Sequence, residues 1–261
     1  MKQAGTRIMP KSSPWLIFDR EPEQGDVILF CLHFAGGHAA LFRQWQEHAP
    51  AGVSICRVQL PGHGTRMSEP LLLDMPTLLA GLHSAAARWM GHRYALFGHS
   101  MGGTIAAEWA IRIQQENLPP PVCLFVSASE PPHKNWLPPC RNLPEDKFRA
   151  LVFEAGGLPQ EVMEHEELMS VFEPILRADY TVLETWAPQP VRPVHAPMIA
   201  LAYRDDRVVP EEIVAEWQRF AASSWEMLKL PGEHFFIQAH PTVVMSAVFE
   251  RLKEFLHEGM A

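Results

Sequence analysis

Basic charge is scarce in this sequence. Thirty Asp and Glu stand against 22 Lys and Arg, a formal net charge of -8. No basic run or stripe is visible, which argues against nucleic acid as a partner, since phosphate binding needs clustered cations. Cysteine is scarce too. Cys31, Cys56, Cys123 and Cys140 are scattered without a Cys-x-x-Cys pair. Three lie in apolar, strand-like runs, where a thiol acts as a small buried hydrophobe. That usage points to a reduced, cytoplasmic protein. No histidine pair has His-Glu-x-x-His or another metal spacing, so neither metal nor cofactor is expected. No apolar run approaches the ~18 residues of a membrane span. Residues 1–14 carry basic residues but no apolar core, so no signal peptide is expected. Repeats and low-complexity segments are missing.

What is present is alternation. The 261 residues suit one α/β domain over 1–261 with a modest insertion. Apolar runs at 27–33, 53–58, 94–97, 122–127, 198–202 and 225–230 read as strands. Helical patterns occupy 77–90, 101–117, 211–221 and 242–257. The last shows Val243, Val244, Ala247, Val248, Leu252 and Leu256 at helical spacing. Such alternation predicts a mostly parallel sheet with helices on both faces. From about 130 to 193 no strand is convincing. A proline-dense loop leads to a helix with Phe148, Leu151, Val152 and Ala155 on one face, ended by Gly156-Gly157. A second helix is predicted from Pro174, as a first-turn proline, to about Trp186. This insertion reads as a lid, or as helices that merely cover the sheet.

The chemistry centres on Gly98-His99-Ser100-Met101-Gly102-Gly103, preceded by an apolar strand and followed by a helix. Strand, Gly-x-Ser-x-Gly and helix in that order form the nucleophile elbow of α/β-hydrolases, so the expected architecture is the α/β-hydrolase fold. The turn lifts Ser100 out of the sheet. The helix aims its N–H groups and positive dipole end at the charge that develops during acyl transfer. The serine needs a base, and the base a carboxylate, in the chain order Ser, Asp, His. His234, just after the last strand, is the candidate base; His99 is expected to pack beside the elbow. Asp206 fits the frame Asp-x-x-Val-Pro and is the preferred acid, with Asp205 the alternative. Asp179 and Asp74 read as helix-surface or capping residues. Backbone N–H groups of Met101 and Ala35 are the expected oxyanion donors, with Phe34 next after Ala35; Gly36-Gly37 lets that loop turn tightly. The loop 57–64 reads as structural, with some contact to the rim.

Several segments together carry a family resemblance. They are Phe34-Ala35-Gly36-Gly37 with Phe42-x-x-Trp45; Val58-Gln59-Leu60-Pro61-Gly62 with Arg66 and Glu69-Pro70; and the elbow. To these add Gly156-Gly157-Leu158-Pro159, Pro174-Ile175-Leu176-Arg177-Ala178-Asp179-Tyr180, and Leu230-Pro231-Gly232-Glu233-His234-Phe235-Phe236. The chain resembles the stand-alone type II thioesterases of non-ribosomal peptide and polyketide synthases. It departs from the usual pattern at His33-Phe34-Ala35 and at Tyr203-Arg204. The resemblance implies hydrolysis of acyl thioesters from phosphopantetheine-bearing acyl-carrier or peptidyl-carrier domains, by a monomeric enzyme that edits misprimed or stalled acyl groups. A free carboxylester or acyl-CoA hydrolase, or a non-catalytic binding protein on the same fold, are the alternatives. Lys134, Arg141, Lys147, Arg149 and Arg177 concentrate basic charge in the insertion, where an acidic carrier domain could dock.

Overall fold

A computed structural model describes residues 13–136, 139–156, 162 and 164–256. Seven strands form one sheet: β1 (Leu16–Phe18), β2 (Val27–Leu32), β3 (Val53–Val58), β4 (Arg93–His99), β5 (Leu124–Ser127), β6 (Met198–Tyr203) and β7 (Trp225–Leu230). Their order is β1-β3-β2-β4-β5-β6-β7. β1 is antiparallel to β3, and all other neighbours are parallel. β2, β3, β5 and β6 are buried along their whole length. That is why they read as continuous apolar runs rather than alternating ones: both faces of a parallel sheet are covered. Six strands match the apolar runs, with ends moved by two residues at most. β1 escapes that reading because three residues are too few to show a period.

One face packs on α1 (Met75–Ala86) and α2 (Met101–Gln115). α1 starts earlier than its apolar pattern because the Asp74 carboxylate caps the Thr77 N–H at 2.8 Å and Pro76 suits the first turn. Asp74 is thus a cap, as expected. The opposite face packs on Trp45 and on α5 (Pro241–Leu256), the last long helix. α5 buries Val244, Met245, Val248, Phe249 and Leu252, while Val243 points to solvent. Trp45 is fully buried among Phe42, Phe97 and Phe249, with ring centroids 5.1, 4.9 and 5.7 Å away.

Between β5 and β6 the described chain is helical: α3 (Glu145–Glu154) and α4 (Glu166–Trp186). α4 begins eight residues before the predicted start, and Pro174 lies inside it. An interior proline gives up the N–H that would bond the carbonyl of Ser170. Ties on both sides of Pro174 offset that loss. Met169 is buried, and Arg149 binds Glu166 and Glu173, joining α3 to the first half of α4. Arg177 binds Glu173 and stacks its guanidinium 4.1 Å from the ring centre of Phe148. Gly156 after α3 has φ +72, a left-handed value that favours glycine. Gly157, Leu158 and Pro159, also part of the resemblance, lie outside the described residues, as does His257 at the predicted end of α5.

The closest backbone approach lies where α2 leaves the sheet. A Cβ at Gly102 would sit 2.3 Å from the Leu32 carbonyl oxygen, and one at Gly98 would sit 2.0 Å from that of Gly102. Backbone cannot swing aside as a side chain does, so α2 would have to separate from β2. Gly102→Ala should therefore cost ~3 kcal/mol and lower the melting temperature by roughly 6–12 °C. Gly91→Ala, with open space around its Cβ, should leave calorimetric melting within about 1 °C of the parent, as surface substitutions do.

Candidate active site

β4 ends at His99, and Ser100 turns the chain into α2 with φ +54 and ψ -121. A residue with a Cβ adopts such a backbone only under constraint. Here the Ser100 N–H is fixed to the Ser127 carbonyl at 2.8 Å, and the Gly103 N–H to the Ser100 carbonyl at 2.9 Å. The side chain is thereby lifted toward His234, whose Nε2 lies 3.0 Å from Ser100 Oγ. His234 Nδ1 donates to Asp206 Oδ2 at 2.8 Å. Asp206 Oδ1 accepts from the backbone N–H groups of Val208 and Val209, both at 2.8 Å. Four hydrogen bonds thus fix the carboxylate, the imidazole tautomer and the serine in one row. Asp206 is buried, whereas Asp205 is exposed. Of the two carboxylates, only Asp206 meets His234.

A second polar chain lies behind this row. His99 Nε2 is 2.8 Å from the His234 carbonyl oxygen, and His99 Nδ1 is 3.0 Å from Ser127 Oγ, which is 2.9 Å from the Tyr203 hydroxyl. Burial, then the charge of His234, pushes the His99 pKa down to about 3, so its ring is neutral. A carbonyl only accepts, so Nε2 carries the proton and Nδ1 accepts from Ser127. Ser127 then receives the Tyr203 proton. β4, β5, β6 and the His234 loop are locked together by this chain. His99 packs beside the elbow as expected; the parts played by Ser127 and Tyr203 went unread, because nothing in their spacing marks them.

The loop after β2 faces Ser100 from the other side. Burial, then the charge of His63, pushes the His33 pKa down to about 4, and its Nδ1 donates to the Phe34 carbonyl at 2.9 Å. Asp179 of α4 corrects the expectation for it: it is buried rather than a helix-surface or capping residue. Its Oδ2 accepts from the Gly36 N–H at 2.7 Å and from His63 Nε2 at 3.0 Å. His63 Nδ1 meets the Pro61 carbonyl at 2.9 Å. With acceptors at both nitrogens, the ring is held as imidazolium. Burial opposes that charge, but Asp179 outweighs it and raises the His63 pKa. One carboxylate therefore ties α4 to the loop after β2 and to the loop after β3.

Above Ser100 opens a cavity of about 630 Å³. Ala35, Met101 and His234 line its floor, and Leu151, Val152, Leu176, Leu183 and Trp186 of α3 and α4 its walls. Among the described residues, no cluster of metal-ligating side chains is present and no helix is long and apolar enough to cross a membrane.

A family model for the thioesterase domain matches residues 27–253. The chain belongs to the thioesterase family. A Brevibacillus parabrevis protein named linear gramicidin dehydrogenase LgrE is 30% identical over 258 residues, 96% of either chain. That name is LgrE's own; this thioesterase is like it in sequence, and its site carries a serine, an imidazole and a carboxylate in hydrogen-bonded order. Two solved structures share the fold. RedJ, a thioesterase from the prodiginine pathway of Streptomyces coelicolor, has a TM-score of 0.81 at 30% identity, covering 93% of this chain and 91% of RedJ. ClbQ, from the colibactin non-ribosomal peptide and polyketide synthase pathway, has a TM-score of 0.82 at 28% identity, covering 88% and 98%.

Four of the five basic residues of the insertion have acidic partners in this thioesterase, while Lys134 and Lys147 are exposed. Arg141 pairs with Glu184, Arg149 with Glu145, Glu166 and Glu173, Arg177 with Glu173, and Lys134 with Glu216. Of the five, Arg149 and Arg177 join helices to one another rather than offering free charge.

The buried Asp179–His63 pair makes stability pH-dependent. A raised histidine pKa contributes stability that is complete below its unfolded value of ~6.5 and is lost as pH rises through the higher folded value. Asp179→Asn should be most destabilising at pH 5–6, and its gap to the parent should narrow above ~6.5. Urea unfolding from pH 5 to 9 reads this, and a gap independent of pH would mean that His63 is neutral.

Proposed function

We propose that this protein is a stand-alone editing thioesterase that releases acyl groups from the phosphopantetheine arm of carrier domains in a non-ribosomal peptide or polyketide synthase. The observation that carries this reading is the Ser100–His234–Asp206 row opening into an apolar cavity large enough for an acyl chain. Ser100 Oγ attacks the thioester carbonyl while its proton passes to His234 Nε2, and Asp206 stabilises the imidazolium. The tetrahedral oxyanion is received by the N–H groups of Met101 and Ala35. The Gly36 N–H is already committed to Asp179 and the Gly37 N–H to the Phe34 carbonyl, so the donor from that loop is Ala35, with Phe34 next. Collapse expels the pantetheine thiolate, which takes the proton from His234 and leaves an acyl ester on Ser100. A water deprotonated by His234 then attacks the ester, and the second tetrahedral intermediate breaks down to the free acid and Ser100. No cofactor is called for.

The carrier-domain substrate is supported by the pathways named for ClbQ and RedJ. The reading includes a cytoplasmic monomer whose carrier contacts are brief, in keeping with four buried, unbridged cysteines. It also makes 1–261 one domain and residues of about 130–193 a lid, since α3 and α4 close over the cavity and are tied to the loop after β2 by a single carboxylate.

Hydrolysis of an acyl-carrier protein tests the chemistry. Ser100→Ala should lower turnover ~10⁵–10⁶-fold, and Asp206→Asn ~10⁴-fold by favouring the wrong imidazole tautomer. Asp205→Asn should stay within a few-fold; the opposite order of the two aspartates would reassign the acid. Acyl-CoA hydrolysed as efficiently as the acyl-carrier protein would replace the carrier-bound substrate by a free one. Hydrogen exchange tests the lid: the described amides of α3 and α4 should be less protected than those of β2, β4 and β5. Equal protection would leave a rigid cap.

A further inference from the structure

Several charged side chains line the largely apolar cavity above Ser100, and one of them, Glu130, has no part in the hydrolytic mechanism. Glu130 follows β5 by three residues, beside the strand whose end bears Ser100, and its side chain faces the same cavity. Its backbone carbonyl accepts from Thr104 Oγ1 at 3.0 Å, which ties the residue to the second turn of α2. Its carboxylate has no such tie. Among the described residues, no hydrogen-bond donor or cation meets it.

The other charged groups of the cavity do not compensate. Glu184 is taken by the N–H groups of Cys140 and Arg141 and by the Arg141 guanidinium. Arg207, Lys134 and Glu154 are exposed residues at the mouth. Lys134 leans on Glu216 and on the Trp136 ring. Burial, then the like charge of Asp206, pushes the Glu130 carboxyl up to about 7. The walls beside it carry the rings of Tyr180, Trp186 and Trp136. A half-buried cavity carboxylate without a cation, among aromatic faces, suits a positive group that arrives with the ligand.

We infer that Glu130 is a specificity residue for acyl groups bearing an ammonium, so that the preferred thioesters are aminoacyl rather than simple fatty acyl. The inference rests on the thioesterase reading above. An α-ammonium sits one carbon from the carbonyl that Ser100 attacks, and Glu130, lining the same cavity as Ser100, offers it a carboxylate while the side chain extends between α3 and α4. The ammonium supplies the counter-charge that the fold withholds. Glu130 in turn gives the amine a partner that a des-amino acyl chain cannot use, and that chain leaves the carboxylate desolvated and unpaired.

The test compares two pantetheine thioesters, phenylalanyl and 3-phenylpropanoyl, with the full-length protein and with Glu130→Gln. Their ratio between the two proteins cancels the different intrinsic reactivity of the esters. Glu130→Gln should lower kcat/KM for the phenylalanyl thioester ~30-fold or more, mainly through KM, as loss of a buried charge partner does. The 3-phenylpropanoyl thioester should keep its value within two-fold or improve. N-formylation of the phenylalanyl substrate should erase the effect of the substitution. Glu130→Met repeats the comparison in case the amide folds poorly. Equal losses on both substrates would overturn the inference and assign Glu130 to the electrostatics of Asp206; no loss on either would overturn it outright. Neither result touches the thioesterase reading, which fails only if the parent protein hydrolyses neither ester nor an acyl-carrier protein.

Discussion

Everything at the site depends on how closely α2 can approach the sheet. The backbone of Gly102 packs against the Leu32 carbonyl, and Gly98 against Gly102 itself, at distances that exclude any Cβ. This contact forces the turn between them into a backbone that costs Ser100 of order 1–3 kcal/mol. The strain persists because both flanks are rigid: β4 is buried and hydrogen-bonded on each side, and α2 is buried along most of its length. The same geometry does two chemical tasks. It sets Ser100 Oγ outside the sheet, and it starts α2 directly behind that hydroxyl, with the helix N-terminus beside it. A looser packing would lose both together.

The elbow positions only one member of the row. The other two come from the ends of β6 and β7, and they are registered against it by polar contacts instead of apolar ones. The Arg204 N–H bonds the Leu230 carbonyl and the Asp205 N–H that of Gly232, each at 3.0 Å, so the acid loop and the base loop move as one. The His99–Ser127–Tyr203 chain then ties that unit to the elbow. A neutral His99 is essential to this arrangement, since an imidazolium would need acceptors at both nitrogens and Ser127 would have to reverse its hydroxyl. Burial keeps the ring neutral. Tyr203, an unusual residue before the acid loop, thus supplies the terminal donor of the chain.

Much of this was legible in the sequence because its causes are local. Apolar runs of five or six residues mark strands covered on both faces, and Gly-x-Ser-x-Gly between strand and helix marks a turn that no other residues allow. Asp206 was legible through the frame Asp-x-x-Val-Pro, a tight turn in which the Val208 and Val209 N–H groups bind its free oxygen. What stayed hidden depends on distant partners. Pro174 reads as a helix start by local rules, but ion pairs and packing with α3 carry the helix through it. Asp179 reads as a surface residue of an amphipathic helix; its partners, Gly36 and His63, are 143 and 116 residues away. For Arg149 and Arg177 the sequence shows the charge and not the glutamates that meet it.

That last point bears on how a carrier domain could be recognised. The chain has a formal net charge of -8, so overall attraction cannot bring an acidic partner to it. Arg149 and Arg177 are already committed to the glutamates that join α3 to α4. Using them for docking would mean breaking the helical insertion that covers the cavity. Recognition then has to rest on the groups at the cavity mouth and on what the phosphopantetheine arm delivers inside. An editing enzyme gains from that division. A weak contact outside lets every carrier domain be sampled and released, as small interfaces do. Discrimination is left to the acyl group itself, in a cavity where apolar walls accept chain length loosely and a single unpaired carboxylate distinguishes charge.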